Sequence, residues 1–271
     1  AIGQITKVSR NSFDSIVLSM YCGLIDVAIY SNYYYIFNAV MGILSIIIQS
    51  VNAGIGNSIA SETTEKNYID FKKFYFYFSC VGSACTICFL CLYQDFMTIW
   101  VGEAFKASGF TMSLFCVYFY VVQMGLIRSA YANASGIWWE CRWIQLFEMF
   151  CNLVLNFVLG YKWGMNGILL ATILTVFIFS IIGLTKKLFD LYFSKKFYSY
   201  IVDSAAYFVG TIPVLVGTYI FTSFVDAHTI GGFIFKSALT GVLIGVLMGV
   251  EIFLIPRYRK LAIELLRKVR R

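Results

Sequence analysis

The chain has 271 residues, of which 60% are hydrophobic and 13% are charged, and its 21 basic residues exceed its 14 acidic ones. A soluble domain of this length carries about 25% charged residues and no series of apolar runs near 20 residues long. The composition excludes a soluble globular domain and predicts an all-α, polytopic membrane protein, since the apolar runs lack the alternation of a membrane β-barrel.

About eight segments are long and apolar enough to be transmembrane helices, which need about 20 residues each. In chain order they cover residues 5–22, 27–52, 74–93, 110–132, 139–160, 163–184, 204–225 and 232–255. We expect one six-helix membrane lobe over residues 1–190, an additional transmembrane helix pair over 191–256, and a basic cytoplasmic tail over 257–271.

The basic residues are distributed unequally between the two predicted sides of the membrane. Three of the 21, Lys106, Lys162 and Lys236, fall on one side, and the remaining 18 fall on the other. Because basic loops stay in the cytoplasm, both ends of this chain are predicted to be cytoplasmic. The asymmetry accounts for the net charge of +7, so we expect no nucleic-acid partner, and the tail is predicted to lie on the anionic membrane surface.

The longest uncharged stretch, residues 27–61, carries a stripe of polar and small residues. At 100° per residue, one arc of about 80° contains Ser31, Asn38, Gly42, Ser45, Gln49, Asn52 and Gly56. Such a stripe turns away from lipid, either onto another helix or into a hydrated cavity. The amides of Asn38, Gln49 and Asn52 favour the cavity.

A second stripe lies on the fifth predicted helix. Its members, which share another arc of about 80°, are Gln145, Glu148, Asn152 and Asn156. Glu148 lies about 15 Å from the cytoplasmic end of this helix, and Arg128 near the inner end of the fourth helix is predicted to pair with it. The pair either locks the helices together or serves transport. Asp14 is a third charge predicted within the membrane.

Small residues recur every four positions on the eighth predicted helix. They are Ser237, Gly241, Gly245 and Gly249. Such a ridge allows close approach of another helix. We therefore expect the last two helices to pack together through it.

No group of residues points to an enzyme. Cys85, Cys88 and Cys91 have a spacing that resembles a metal site, but they lie in an apolar helix without a histidine nearby, where cysteine serves packing. No nucleophile with a base, and no acidic pair, occurs at useful spacing. We expect neither catalytic activity nor a metal or other cofactor.

Several short motifs resemble those of bacterial polysaccharide flippases, members of the multidrug/oligosaccharidyl-lipid/polysaccharide exporter superfamily. GLIDVAIYSNYYYIFNAV is similar to the GxxxVGIYSNY that opens a span in that family, with Ala28 where the family often has glycine. The motifs that follow in the same order are NAGIGNSIASE, FMTIWVGEAF, an ASG turn, CNLVLNFVLGYKWGMNGILLAT and LTKKLF. Together they extend over about residues 10–190. The resemblance implies two six-helix lobes around a central cavity, with this chain matching the second lobe and an extra helix pair.

The implied function is flipping of polyprenyl-pyrophosphate-linked oligosaccharide repeat units across the bacterial cytoplasmic membrane, for O-antigen or capsule assembly. Expected partners are this lipid-linked oligosaccharide, membrane lipid and an N-terminal six-helix lobe of the same protein. The two stripes would form the substrate path, with Arg128 helping to attract the pyrophosphate. That path consists of Asn38, Gln49, Asn52, Arg128, Gln145, Glu148, Asn152 and Asn156.

Two alternatives are weighed beside this function. The first is a cation-coupled multidrug exporter of the same superfamily, in which Glu148 would serve as the proton or cation site. The second is a membrane-embedded glycan polymerase or acyltransferase. That class needs an acid–base or nucleophile cluster and usually a sizeable loop domain, neither of which the sequence shows.

Overall fold

The computed structural model describes the backbone of residues 13–227 and 229–269 and the side chains through residue 264. This part of the chain is almost wholly helical and contains no strand, which confirms the all-α prediction. The helices are α1 (residues 13–21), α2 (Leu24–Ser61), α3 (Thr64–Val101), α4 (Gly109–Met124), α5 (Leu126–Ala134), α6 (Arg142–Thr175), α7 (Thr185–Leu188), α8 (Tyr198–Ser223), α9 (Ile230–Leu254) and α10 (Pro256–Val269).

Six helical segments of the described chain are long and apolar enough to span a membrane. Two of them, α2 and α3, have 38 residues each and so extend about 57 Å, well beyond a hydrocarbon core of about 30 Å. The helices therefore continue beyond both ends of the predicted spans 27–52 and 74–93. Hydropathy marks only the part of a helix that lies in lipid, whereas the backbone hydrogen bonds continue into the polar ends.

The segment Arg142–Phe193 is helical over 52 residues but doubles back on itself. Gly164 has φ 55° and ψ −134°, which breaks α6 inside its apparent length. A Cβ at Gly167 would collide with the carbonyl oxygen of Leu159, so the two arms touch backbone to backbone beside the turn. The segment thus forms a helical hairpin with two spans, in agreement with the predicted spans 139–160 and 163–184.

The first predicted span, residues 5–22, lies only partly within the described residues. Its second half forms α1, in which Val17 and Leu18 are buried in the lobe. Counting both arms of the hairpin, the described chain shows seven complete spans and part of an eighth.

Aromatic side chains fill the interior of the lobe. Near one end Phe37 stacks on Tyr118 with ring centroids 4.7 Å apart, and near the other end Phe71 lies 5.2 Å from Phe193. Large rings bury much area with few rotatable bonds, and offset contacts add stability beyond that area. These contacts set the positions of α2, α3 and α4 around which the site residues are arranged.

The helix pair α8 and α9 packs along α3 through polar contacts as well as apolar ones. Ser83 and Thr211 share a hydrogen bond of 2.6 Å, and Tyr75 and Ser204 share one of 2.7 Å. Lys236 of α9 donates to Asp95 of α3 at 2.7 Å. Each contact satisfies polar groups that would otherwise be desolvated, and so holds the pair against the lobe.

The predicted packing ridge on α9 is not used between α8 and α9. A Cβ added at Gly241, Gly245 or Gly249 would meet no described atom within 4 Å. The contact is made instead by glycines of α8, since a Cβ at Gly217 would lie 3.0 Å from Leu247. That prediction was wrong because four-residue spacing identifies a smooth face without identifying its neighbour.

The amphipathic helix α10 docks against one end of the lobe. Tyr258 is buried, with its ring 5.3 Å from that of Phe76, and Arg257 pairs with Asp203. Lys73 and Glu264 form an ion pair of 3.1 Å. The tail therefore docks at the end of the lobe that carries Lys73, where the loops predicted to be cytoplasmic also lie. We call this end of the lobe the basic end.

Candidate functional site

The polar stripe of α2 lies on an open face of the lobe. Asn38, Gln49 and Asn52 are all exposed, and a Cβ added at Gly42 or Gly56 would meet no described atom within 4 Å. No described helix covers this face. The sequence predicted that this stripe either packs onto another helix or faces a hydrated cavity. Within the described chain it does not pack onto another helix.

The buried face of α2 is aromatic and aliphatic and lies elsewhere on the helix. Tyr33, Phe37, Leu44 and Ile48 are buried and centre about 100° away from the polar stripe. Ile43 and Ile46 are 60% and 68% exposed on a third face. The helix thus has three sides: one packed against the lobe, one apolar and suited to contact with lipid, and one polar. The polar side suits neither the apolar interior of the lobe nor lipid.

The second stripe, on the first arm of the hairpin, is buried. Glu148, Asn152 and Asn156 are 5%, 1% and 0% exposed, and Gln145 is half-buried. Asn152 donates from Nδ2 to Thr172 Oγ1 at 3.2 Å and to Thr175 Oγ1 at 3.3 Å, both on the returning arm. This stripe therefore faces the other arm of its own hairpin.

Asp14 of α1 completes this arrangement. Its Oδ1 accepts a hydrogen bond of 2.6 Å from Asn156 Nδ2, and its Oδ2 accepts from Tyr30 at 3.2 Å and from Thr172 at 3.3 Å. We call these residues the Asp14 cluster, which comprises Asp14, Tyr30, Asn152, Asn156, Thr172 and Thr175. It joins α1, α2 and both arms of the hairpin around one carboxylate that is 1% exposed.

Sequence reasoning singled out Asp14 and the two asparagines separately but did not bring them together. Thr172 and Thr175, three positions apart on the sixth predicted span, share a face and were not considered. The available signal was the spacing of these two hydroxyls. They lie on a helix that a short turn joins to the preceding helix, which carries the amides. The link to α1 required the fold, because Asp14 and Asn156 are 142 positions apart.

Arg128 is buried at 3% exposure, and its Nη2 donates to Ser180 Oγ at 3.0 Å. Glu148 is also buried, at 5% exposure. The predicted pairing of Arg128 with Glu148 stays a prediction. Both charges belong to the interior of the lobe and not to the open face of α2.

A cavity of about 650 Å³ lies away from the predicted site residues, none of which lines it. It is a groove between α3, α4, residues 177–182 and α8, and we call it the α8 groove. Its walls are mainly apolar, as at Val117, Ile181 and Phe208. No single segment of the sequence carries a signal for it, because its walls come from four separate segments.

The eight predicted site residues therefore fall into two environments. Asn38, Gln49 and Asn52 offer hydrogen-bonding amides on an open face, where a hydrated or hydroxyl-rich ligand can reach them. The remaining five, Arg128, Gln145, Glu148, Asn152 and Asn156, are buried or half-buried within the lobe. No family model, curated protein or solved structure matches this chain, so the geometry itself is the basis for a functional proposal.

Proposed function

We propose that this chain is part of a transporter that flips polyprenyl-pyrophosphate-linked oligosaccharides across the bacterial cytoplasmic membrane. The observation that carries the proposal is the open polar face of α2, on a helix that is long and apolar enough to cross the membrane. A sugar chain loses its hydrogen bonds to water when it enters hydrocarbon, at a cost of several kcal/mol for each unsatisfied group. Side-chain amides both donate and accept, so they can replace part of that hydration.

The path would be completed by an N-terminal six-helix lobe of the same protein facing α2. Such a lobe would shield the stripe from lipid and leave a hydrated passage between the two halves. The basic end of this chain would be cytoplasmic, and Arg142 there stacks on Trp139 at 4.3 Å, a position from which it can attract the pyrophosphate. Both ends of this chain would then be cytoplasmic.

A cation-coupled multidrug exporter is the second candidate, supported by the Asp14 cluster. Carboxylates buried among amides and hydroxyls within a membrane are typical of proton or cation pathways. Coupling is compatible with either substrate, so this cluster alone does not favour drugs over lipid-linked sugars. The open amide face does favour the sugar.

Transbilayer movement of a fluorescent lipid-linked oligosaccharide in proteoliposomes of the full-length protein tests the proposal. The triple change Asn38→Leu, Gln49→Leu and Asn52→Leu should lower the flipping rate at least about tenfold, equivalent to about 1.4 kcal/mol. Asn133→Leu is the matched control, because Asn133 is exposed but lies outside α2. Unchanged flipping by the folded triple variant would refute the proposal. Ion-driven efflux of a cationic drug, with no movement of the oligosaccharide, would favour the second candidate.

A further inference from the structure

The α8 groove runs parallel to the helices that form it. Its lining extends along α3 from Tyr75 to Leu90 and along α8 from Tyr200 to Leu215. Fifteen residues of helix on each side correspond to about 22 Å, which is most of the thickness of a hydrocarbon core of about 30 Å. A volume of about 650 Å³ spread over this length makes the groove long and narrow.

The groove opens towards the lipid-facing surface of the lobe. Val117, Phe208 and Ile212, which line it, are 47%, 53% and 45% exposed. Within a membrane, such an opening admits hydrocarbon chains directly from the bilayer. Its narrow, elongated form is suited to one flexible chain.

Polar groups lie at the end of the groove nearest the basic end. Tyr200 lines this end and is 3% exposed. Lys196 is exposed and immediately precedes Phe197, which lines the groove at this end. The exposed ammonium of Lys196 can pair with the head of an anionic amphiphile whose chain enters the groove at this end.

We propose that the α8 groove binds one acyl chain of an anionic phospholipid, with the headgroup beside Lys196. The described lining residues include none from α2, and therefore none from the open polar face that would carry a sugar. For this reason the groove is assigned to a resident membrane lipid and not to the hydrocarbon chain of a transported substrate. The inference stands independently of the proposed transport activity.

A bound lipid would add contacts between the lobe and the helix pair. The groove has walls from α3, α4 and the hairpin on one side and from α8 on the other. A chain filling it would bury apolar surface from both units at once. The helix pair would then be held by lipid in addition to its direct contacts with α3.

The test uses the purified full chain in nanodiscs containing phosphatidylglycerol with a photoactivatable diazirine in its acyl chain. Irradiation followed by peptide mass spectrometry should place adducts on groove residues such as Val117 and Phe208. Phosphatidylcholine with the same diazirine should give about tenfold fewer adducts, equivalent to about 1.4 kcal/mol of headgroup preference.

Two variants test the chain site and the headgroup site separately. Ala205 lines the groove and is exposed, so Ala205→Trp should fill the groove and lower labelling about tenfold without disturbing buried contacts. Ala238→Trp, at an exposed position of α9 outside the groove lining, is the matched control and should leave labelling unchanged. Lys196→Glu should abolish the preference for phosphatidylglycerol while the protein remains folded.

Three results would overturn the proposal. Equal labelling over all lipid-facing surfaces of α8 and α9 would show only general contact with the bilayer. Displacement of the probe by polyprenyl phosphate, but not by unlabelled phosphatidylglycerol, would assign the groove to a substrate chain. Protein–protein cross-links through the groove would assign it to a second copy of the chain.

Discussion

Two helices of this lobe carry the same sequence pattern and present it to opposite environments. The stripe of α2 and the stripe of the first hairpin arm each place amides within an arc of about 80°. In the structure Asn38, Gln49 and Asn52 are exposed, whereas Asn152 and Asn156 are almost completely buried. A polar arc on a membrane helix therefore marks a face that avoids lipid, and leaves open whether that face meets protein or water.

The difference arises from what lies opposite each stripe. The hairpin turn at Gly164 brings Thr172 and Thr175 against Asn152, so this stripe acquires hydrogen-bond partners only 20 and 23 positions along the chain. The buried contacts of α2 are made by Tyr33 and Phe37, which lie on another side of that helix. Its stripe is left without a described neighbour.

The largest effect should come from the buried charges beside the second stripe. If Glu148 pairs with Arg128 as predicted, Glu148→Gln leaves the buried guanidinium unpaired, and loss of one partner of a buried pair costs about 3–5 kcal/mol. The double change Glu148→Gln with Arg128→Met should recover most of that stability. Thermal unfolding in detergent and membrane expression measure both variants.

Transport by the same variants separates a structural from a functional role for Glu148. If the pair only locks the helices, the double variant recovers transport together with stability. If Glu148 serves transport, stability returns and transport does not. A stable Glu148→Gln variant with normal transport would contradict both roles and leave Glu148 as a tolerated polar residue.

A second prediction compares one asparagine from each stripe. Asn156→Leu removes the 2.6 Å hydrogen bond to Asp14 and should lower the free energy of unfolding by about 1–3 kcal/mol. Asn38→Leu, on the open face, should change it by less than about 0.5 kcal/mol. Comparable losses, measured by denaturation of the purified variants, would mean that the two stripes are equally buried in the intact protein.

Chemical accessibility distinguishes the stripes without a stability measurement. In a cysteine-free version of the full-length protein, cysteines at positions 38, 49 and 52 should react with a small hydrophilic thiol reagent at least about tenfold faster than a cysteine at 152. A tenfold ratio of reaction rates corresponds to a difference of about 1.4 kcal/mol in activation free energy. Equally slow reaction at all four positions would show that α2 also packs its stripe against protein.

The smallest effect is expected at the ridge of α9, which is open like the stripe of α2. Gly245→Ala meets no described atom and replaces glycine by a better helix former, so stability should stay unchanged or rise by up to about 1 kcal/mol. Gly167→Ala is the contrasting variant, because its Cβ would collide with the backbone carbonyl oxygen of Leu159, which cannot move aside as a side chain can. A clear loss of stability in Gly245→Ala would reveal a helix packed on the ridge. Unfolding midpoints in detergent would measure it.

Hydropathy and charge were sufficient to predict the all-α class and the positions of the spans. In hydrocarbon a helix satisfies its own backbone hydrogen bonds, so an apolar run near 20 residues has little alternative. Periodicity was likewise sufficient to group Asn38 with Gln49, and Asn152 with Asn156, because residues about one turn or about three turns apart share a helix face.

What each face meets was decided by the tertiary structure. The ridge of Gly241, Gly245 and Gly249 was assigned to the wrong neighbour, and the partners of Asp14 and the α8 groove were not foreseen. Each depends on segments far apart in the chain, such as Asp14 and Asn156. A helical pattern in the sequence indicates which residues lie on the same face of a helix. Whether that face is buried depends on which other helix packs against it, and only the tertiary structure determines that neighbour.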